Sequence, residues 1–412
     1  MEHCKQIEIL TELIRQLSER ANVDAGVMLR NPTSVYVSPE LAQLEWETFF
    51  QRHPQILGLS LDLPEEGYFL TIDDFGVPIL ATRDSNGKFR AFLNACRHRG
   101  ARIEQDERGK RFRFSCPFHK WTYNNSGSLI AIPQEEHFGF VNKACRGLVE
   151  LPASEQYGLL WVHPQPKGEF DIDALIGDLA PELESWQLHQ MQHVGSSSID
   201  MKLNWKLAND TFGETYHFQK LHKDTVGRIF YGDALHYETF GRNHRFVFPN
   251  RAIDRLAKKP IGEWRLTHGA VTIYYLFPNI QLAVGRGTIN LFRIYPDKKD
   301  PSRSITKIST YFSEELLEAK ATAGDDSMEL EPNKVYDIEG RQGALPSIES
   351  QNEVFISTIS QQDYVMGESI QIAVTNGLLD HVIFGKNEPA LHHFHNTFRS
   401  ALDMPPLEAY TS

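Results

Sequence analysis

Cys96, His98, Cys116 and His119 form the runs Cys-x-His and Cys-x-x-His, each offering one thiolate and one imidazole. Zinc also accepts two Cys and two His, but finger-type spacings pair Cys with Cys and His with His. One Cys and one His per run instead lets each of two irons draw one ligand from each loop. That arrangement suits a Rieske [2Fe–2S] cluster, with two thiolates on one iron and two imidazoles on the other. Neutral imidazoles lift the potential to roughly −150 to +300 mV, against about −400 mV for an all-Cys plant-type cluster. Such a group moves single electrons. Gly100 and Pro117, beside the ligands, suit tight loops whose backbone N–H groups point at sulfide.

Electrons need a destination, and the stretch from Asn204 to His222 offers one through Glu214, His217 and His222. Two histidines five apart stand about 140° from each other on a regular helix, so they converge only if the helix opens near Phe218 to Leu221. Glu214, three residues before His217, shares its side of the helix. An isolated pair of this kind reads as a polar helix end. The upstream cluster, which requires an electron acceptor, turns the reading toward a metal. Two His and one carboxylate make the facial triad of non-haem Fe(II) sites, with open positions for O₂ and substrate. Asp363 and Glu368, in the run from Gln361 to Gln371, are the candidate third ligands, and the residues alone do not separate them.

The elements that carry these groups follow from the apolar pattern. Ile7, Leu10, Ile14 and Leu17 recur at helical spacing, and the opening to about residue 50 reads as helical. From Gly67 to His163 short β-type runs alternate with turn signals at Asp84-Ser85-Asn86-Gly87 and Asn124-Asn125-Ser126-Gly127. This predicts a small all-β domain with both cluster runs in loops. Beyond Pro164 to Gly168 come strands at Val271 to Leu276, Gln281 to Val284, Ile289 to Tyr295 and Ile305 to Phe312. Helices are expected over Asn204 to about His222 and over Glu388 to about Leu402, the latter with Pro389 in its first turn. The acidic stretch Ala321 to Gln351 reads as a surface excursion. His392, His393 and His395 read as a polar face of the last helix, with no carboxylate in step.

At 412 residues, 41% hydrophobic and 23% charged, the chain is a folded protein of two or three domains. Its net charge of −12 argues against nucleic acid or an anionic membrane as partner. Cys4 and Cys145 lie outside the cluster runs and read as spare thiols. No apolar run is long enough for a membrane span, and the N-terminus lacks a signal-peptide pattern, so a cytoplasmic location is expected. Gly285-Arg286-Gly287 falls between strands and is no dinucleotide fingerprint.

Cys96-Arg97-His98-Arg99-Gly100, Cys116-Pro117-Phe118-His119-Lys120-Trp121, Asn204-Trp205-Lys206, Glu214-Thr215-Tyr216-His217 with His222, and Gln362-Asp363 occur in that order. On these motifs the chain resembles the α (oxygenase) subunits of Rieske non-haem iron ring-hydroxylating oxygenases over nearly its whole length. The resemblance implies an α+β fold, with a small all-β Rieske domain inserted near the start of a helix-grip catalytic domain of antiparallel sheet and helices. The expected division is a helical segment at 1–50 packing on the catalytic domain, a Rieske domain at 51–165 and a catalytic domain at 166–412. The resemblance also implies His217, His222 and Asp363 as ligands of Fe(II). Glu214 would link His217 to His119 of the next protomer, and Asp210 matches a position often polar and close to the iron. Many relatives have Asp where this chain has Glu214.

Function follows from the same resemblance. A separate reductase, with or without a ferredoxin, would pass electrons from NAD(P)H to the [2Fe–2S] cluster and on to mononuclear Fe(II), where O₂ meets an aromatic substrate. A homotrimer or an α₃β₃ assembly is expected. The competing readings are a monooxygenase that demethylates or hydroxylates a non-aromatic compound, and a plain electron carrier or metal-stabilised scaffold. Arg228 to Tyr231 and Tyr274 to Phe277 are candidate pocket walls, and Arg242, Arg245, Arg251 and Arg286 are candidates for a substrate carboxylate.

Overall fold

Short apolar runs closed by Asp- and Asn-rich turns fold into hairpins because the turn residues satisfy the backbone locally. The computed structural model describes residues 1–323 and 348–411. Ile79–Arg83 pairs antiparallel with Phe89–Leu93. Between them Asp84 Oδ1 accepts the N–H groups of Asn86 and Lys88 at 2.9 and 3.0 Å, and Gly87 takes a φ of +74°. These strands belong to a five-stranded sheet ordered Glu150–Leu151, Phe89–Leu93, Ile79–Arg83, Tyr68–Ile72, Arg108–Lys110. A three-stranded sheet of Arg113–Ser115, Thr122–Asn124 and Leu129–Ala131 stands beside it. Phe69, Phe92, Phe114, Trp121 and Tyr123 fill the core here, with Cys96 and Cys116 among them. All of this lies in one compact unit, Glu45–Ala174 with Trp186–His193.

The other unit comprises Met1–Leu44, Leu175–Ser185 and Val194–Ser412. Its centre is a seven-stranded sheet of β1 (Gln192–Met201), β2 (His236–Phe240), β3 (Asn243–Pro249), β4 (Ala270–Leu276), β5 (Ile280–Val284), β6 (Thr288–Pro296) and β7 (Ser304–Phe312). Strands β2 to β7 run as an antiparallel meander, and β1 lies beside β7 at the far edge. Every residue of β3, β5 and β6 is buried, so both faces of the sheet centre are covered. The helices that matter below are α1 (His3–Glu19), α2 (Trp205–Asp210), α3 (Ile348–Thr358), α4 (Tyr364–Thr375) and α5 (Pro389–Ala401). Helix α2 packs on β6 and β7, and α5 on β2 and β3.

Helix α1 buries Ile9, Leu10 and Leu13 against Val247, Leu256 and Leu266. Each such side chain stabilises by about 1.5–3 kcal/mol. Gln16 adds two bonds to the backbone of Leu235, at 2.8 and 3.1 Å. The helical reading is interrupted after Glu19, where Asn22, Asp24 and Gly26 break the pattern and Leu29–Pro32 becomes a strand between His381–Phe384 and Glu408–Ala409, and it holds again from Pro39–Glu45 into the turn Trp46–Gln51. The expected helix from Asn204 to His222 is also cut short, ending at Asp210. Gly213 explains this, since a Cβ there would meet Leu391 Cδ2 at 2.2 Å. The chain must turn under α5 instead of continuing its helix. Most of the expected excursion Ala321 to Gln351 lies outside the described residues. Among the described residues no helix is long and apolar enough to cross a membrane.

Candidate metal centres

The two cluster runs fold into matching loops. In each, the Cys carbonyl accepts the N–H four residues on, from Gly100 and from Lys120, both at 2.9 Å. In each, the Cys N–H donates to the carbonyl five residues on, Ala101 at 2.8 Å and Trp121 at 2.9 Å. The residue at that fourth position is left-handed in both loops, Gly100 at φ +79° and Lys120 at φ +59°. The strain on Lys120 carries no sequence signal. Cys96 and Cys116 are buried, His98 is partly exposed and His119 is exposed, so the thiols face the core and the imidazoles face outward. The two imidazole rings lie 4.7 Å apart, and Trp121 stacks on His98 at 5.0 Å.

The donor chemistry fits a Rieske cluster. Burial, above all, pushes the Cys96 thiol up, and the adjacent Cys116 adds to this, so a metal centre binding there would have to displace the Cys96 proton. His98 is held below the ordinary imidazole range by desolvation and by His119 and Arg99, which favours the neutral, ligating form. Tyr123 sits behind Cys96. Its hydroxyl lies 3.4 Å from Cys96 Sγ and accepts the Arg97 N–H at 3.0 Å. A donor on a ligating sulfur stabilises the reduced, more negative cluster. Tyr123→Phe is therefore expected to lower the potential by about 40 mV, the equivalent of about 1 kcal/mol of lost hydrogen bonding. An EPR-monitored redox titration reads this directly, and an unchanged potential would remove Tyr123 from the list of tuning groups.

The second set of donors is built by the turns after α2. Asn204 caps α2 by accepting the Lys206 N–H at 2.9 Å. Beyond Gly213 a tight turn places Glu214 against its own neighbour, where Oε2 accepts the His217 N–H at 3.1 Å and Oε1 meets His217 Nδ1. The chain then folds back, with Lys220 and Leu221 donating to the His217 carbonyl at 2.9 and 2.8 Å. His222 is thereby carried to the same point as His217. From the far end of the chain, a π-helical turn at Ile359–Asp363 between α3 and α4 delivers Asp363. Its Oδ1 lies 3.2 Å from His217 Nε2 and 2.9 Å from His222 Nε2. The candidate ligand atoms of His217, His222 and Asp363 lie within 4.8 Å of one another.

The electrostatics suit a cation. Burial alone would lower the His217 pKa, yet its bonds to Asp363 and Glu214 push it up to about 10. Asp363 is held below the usual carboxylate range by His217 and His222 in spite of burial. A dication in this position would displace the imidazole proton and keep both carboxylates paired. Gln362 fixes the second imidazole, with Oε1 2.7 Å from His222 Nδ1 and also accepting from Thr225 Oγ1 at 3.2 Å. That leaves His222 Nε2 for the metal side. Glu368, the other candidate, accepts the Lys202 N–H at 2.8 Å instead.

Residues 188–404 match the family model for the ring hydroxylating alpha subunit (catalytic domain), and residues 53–150 match that for the Rieske [2Fe-2S] domain. The chain belongs to this oxygenase family. It is 30% identical over 193 residues to the glycine betaine monooxygenase oxygenase subunit of Chromohalobacter salexigens, covering 46% of this chain and 42% of that protein. It is 27% identical over 196 residues to the anthranilate 1,2-dioxygenase large subunit of Acinetobacter baylyi, covering 46% and 41%. The chain thus matches less than half the length of these curated relatives. Its fold is similar to a quaternary ammonium Rieske monooxygenase in complex with L-carnitine, with a TM-score of 0.71 at 16% identity over 92% of this chain and 96% of that one. It is also similar to naphthalene 1,2-dioxygenase with indole bound, with a TM-score of 0.66 at 18% identity over 93% and 94%.

Within the catalytic unit several candidates take other positions. The Asp210 carboxylate accepts the Tyr36 hydroxyl at 2.8 Å and bonds His395 Nε2 at 2.8 Å, so it ties α2 to α5 and to the segment 29–36. His392, His393 and His395 are not a solvated face. His395 is fully buried on Asp210, and His393 bonds His244 Nδ1 at 3.0 Å and the Gly241 carbonyl at 2.9 Å. Their partners lie far away in sequence, so the helix by itself gives no sign of them. Neither Arg228 to Tyr231 nor Tyr274 to Phe277 walls the pocket beside the triad. Its apolar lining is dominated by Phe212, Phe218, Phe246, Phe248 and Phe355.

Proposed function

We propose that this chain is the terminal oxygenase of a multicomponent system, with His217, His222 and Asp363 holding mononuclear Fe(II) and Cys96, His98, Cys116 and His119 holding the cluster. The observation that supports this most is the meeting of His217 Nε2 and His222 Nε2 on one oxygen of Asp363, in the chain that also carries the four cluster donors. When bound, the two groups supply single-electron delivery and O₂ activation beside substrate. The chain's own residues do the rest. Glu214 and Gln362 orient the two imidazoles, and the phenylalanine lining keeps water from the substrate side.

The substrate in this reading is an aromatic compound that is hydroxylated or cis-dihydroxylated. Similarity to the glycine betaine monooxygenase subunit supports, as a second reading, a monooxygenase that demethylates or hydroxylates a non-aromatic compound. Electrons come from a separate NAD(P)H-dependent reductase, directly or through a ferredoxin. The cluster belongs to residues 51–165 and the iron site to 166–412, with 1–50 packing on the latter. The protein assembles head to tail as a trimer, with or without β subunits. The exposed free thiols of Cys4 and Cys145 agree with a reducing cytoplasm.

Iron and sulfide analysis with EPR of the reduced protein tests the reading. The expected content is about three irons to two acid-labile sulfides per chain. About two irons, or zinc, with no O₂ uptake would leave only the electron-carrier or scaffold reading standing.

A further inference from the structure

The chemistry of the pocket wall narrows the substrate beyond its family. Two hydroxyls line the wall, Thr211 and Thr358. Both donate back into their own helices, Thr211 Oγ1 to the Ala208 carbonyl at 2.9 Å and Thr358 Oγ1 to the Val354 carbonyl at 2.7 Å. The imidazole Nδ1 atoms are committed to Glu214 and Gln362, and both Nε2 atoms face Asp363. No Arg, Lys, Asn, Gln, Tyr or Trp stands among the described lining residues. Among the described residues the wall is therefore left without a free hydrogen-bond donor, while Glu214 and Asp363 offset the charge of a dication.

The four arginines that could have met a substrate carboxylate are placed elsewhere. Arg245 is fully buried between Glu182 and Glu238. Arg242 lies over Phe277 at 5.2 Å and Arg251 over Tyr231 at 4.0 Å. Arg286 is exposed between β5 and β6. None of them lines the pocket.

We infer that this pocket selects an uncharged, apolar substrate and rejects molecules that carry a carboxylate. The inference rests on the oxygenase reading for the chemistry but not for the selection. A carboxylate entering here loses its water and gains no partner from the wall, the condition under which a buried charge is most costly. An uncharged ring gains contact with phenylalanine on several sides and forfeits nothing. Selectivity is thus set by missing donors, since the Thr211 and Thr358 hydroxyls are already spent within their own helices.

Equilibrium dialysis of the iron-loaded holoenzyme against matched pairs tests this without turnover. The pairs are toluene with benzoate and 2-methylnaphthalene with 2-naphthoate. The uncharged member of each should bind about 100-fold tighter or more at neutral pH. Thr211→Val and Thr358→Val, checked for iron content and folded state, should leave that preference within about threefold, because neither hydroxyl serves the ligand. Equal or tighter binding of the acid in either pair overturns the inference, as does the absence of binding by both neutral members. Loss of the preference in either Thr variant also overturns it. O₂ uptake separates the two claims. Selective binding with no O₂ consumption sinks the oxygenase reading and leaves the selection standing. Turnover of benzoate or glycine betaine in preference to every neutral ring does the reverse.

Discussion

Replacing His222 by Ala is expected to remove the mononuclear metal and leave the cluster in place. Iron should fall by about one per chain with labile sulfide unchanged, and O₂ uptake should drop to background, since His217 and Asp363 alone cannot complete a facial triad. The site is closed at this point. His222 is 1% exposed, with Nε2 on Asp363 and Nδ1 on Gln362, and among the described residues only His217 and Asp363 share its metal-ligand group. The change also takes one partner each from Asp363 Oδ1 and Gln362 Oε1, which keep His217 and Thr225, at about 0.5–1.5 kcal/mol for each lost bond. A lower melting temperature alone would therefore prove little. The discriminating measurement is the response to added Fe(II) under anaerobic conditions. A ligand that binds only the folded state raises stability by mass action. Wild-type protein stripped of its mononuclear iron should gain melting temperature with Fe(II), and His222→Ala should not. A variant that still takes up iron and gains stability would mean the metal sits elsewhere.

How much of the molecule is legible in its sequence depends on distance along the chain. The cluster runs are local, and their spacing, turn residues and flanking strands all point the same way, so the chain itself marks both loops. The strands of the meander are legible for the same reason, although burial on both faces blurs their alternation. The expected helix from Asn204 fails because its end is decided by Leu391, far downstream, which leaves space only for Gly213. The histidines of α5 look like a polar face because their partners, Asp210, His244 and the Gly241 carbonyl, come from other elements. Asp363 and Glu368 are five residues apart and alike in chemistry. The π-helical turn separates them by presenting Asp363 to the imidazoles while Glu368 bonds the Lys202 N–H. The pocket wall leaves no local pattern at all, because its phenylalanines are gathered from separate segments.

Glu214→Gln is expected to retain both metals yet lower coupled turnover by about 10–100-fold, the range typical of lost carboxylate partners to metal-binding imidazoles. Here Glu214 Oε1 meets His217 Nδ1, and Oε2 accepts the His217 backbone N–H at 3.1 Å. An amide preserves shape but loses the charge and one acceptor, so only one of these bonds survives at full strength. A charge-assisted bond is worth about 1.5–3 kcal/mol, enough to weaken the hold on the ring without emptying the site. If Glu214 also reaches a cluster histidine of the neighbouring protomer, the second effect falls on electron arrival. Single-turnover experiments on fully reduced protein separate the roles. A slow single turnover at normal iron content supports the bridge, because substrate and metal are present and only electron transfer has changed. A normal single-turnover rate sinks the bridge, and loss of iron from the variant reduces Glu214 to a support for His217. Glu214→Asp is the informative companion. It keeps the charge but draws it back by one methylene, so it should preserve iron content and restore turnover only as far as the shorter side chain still reaches.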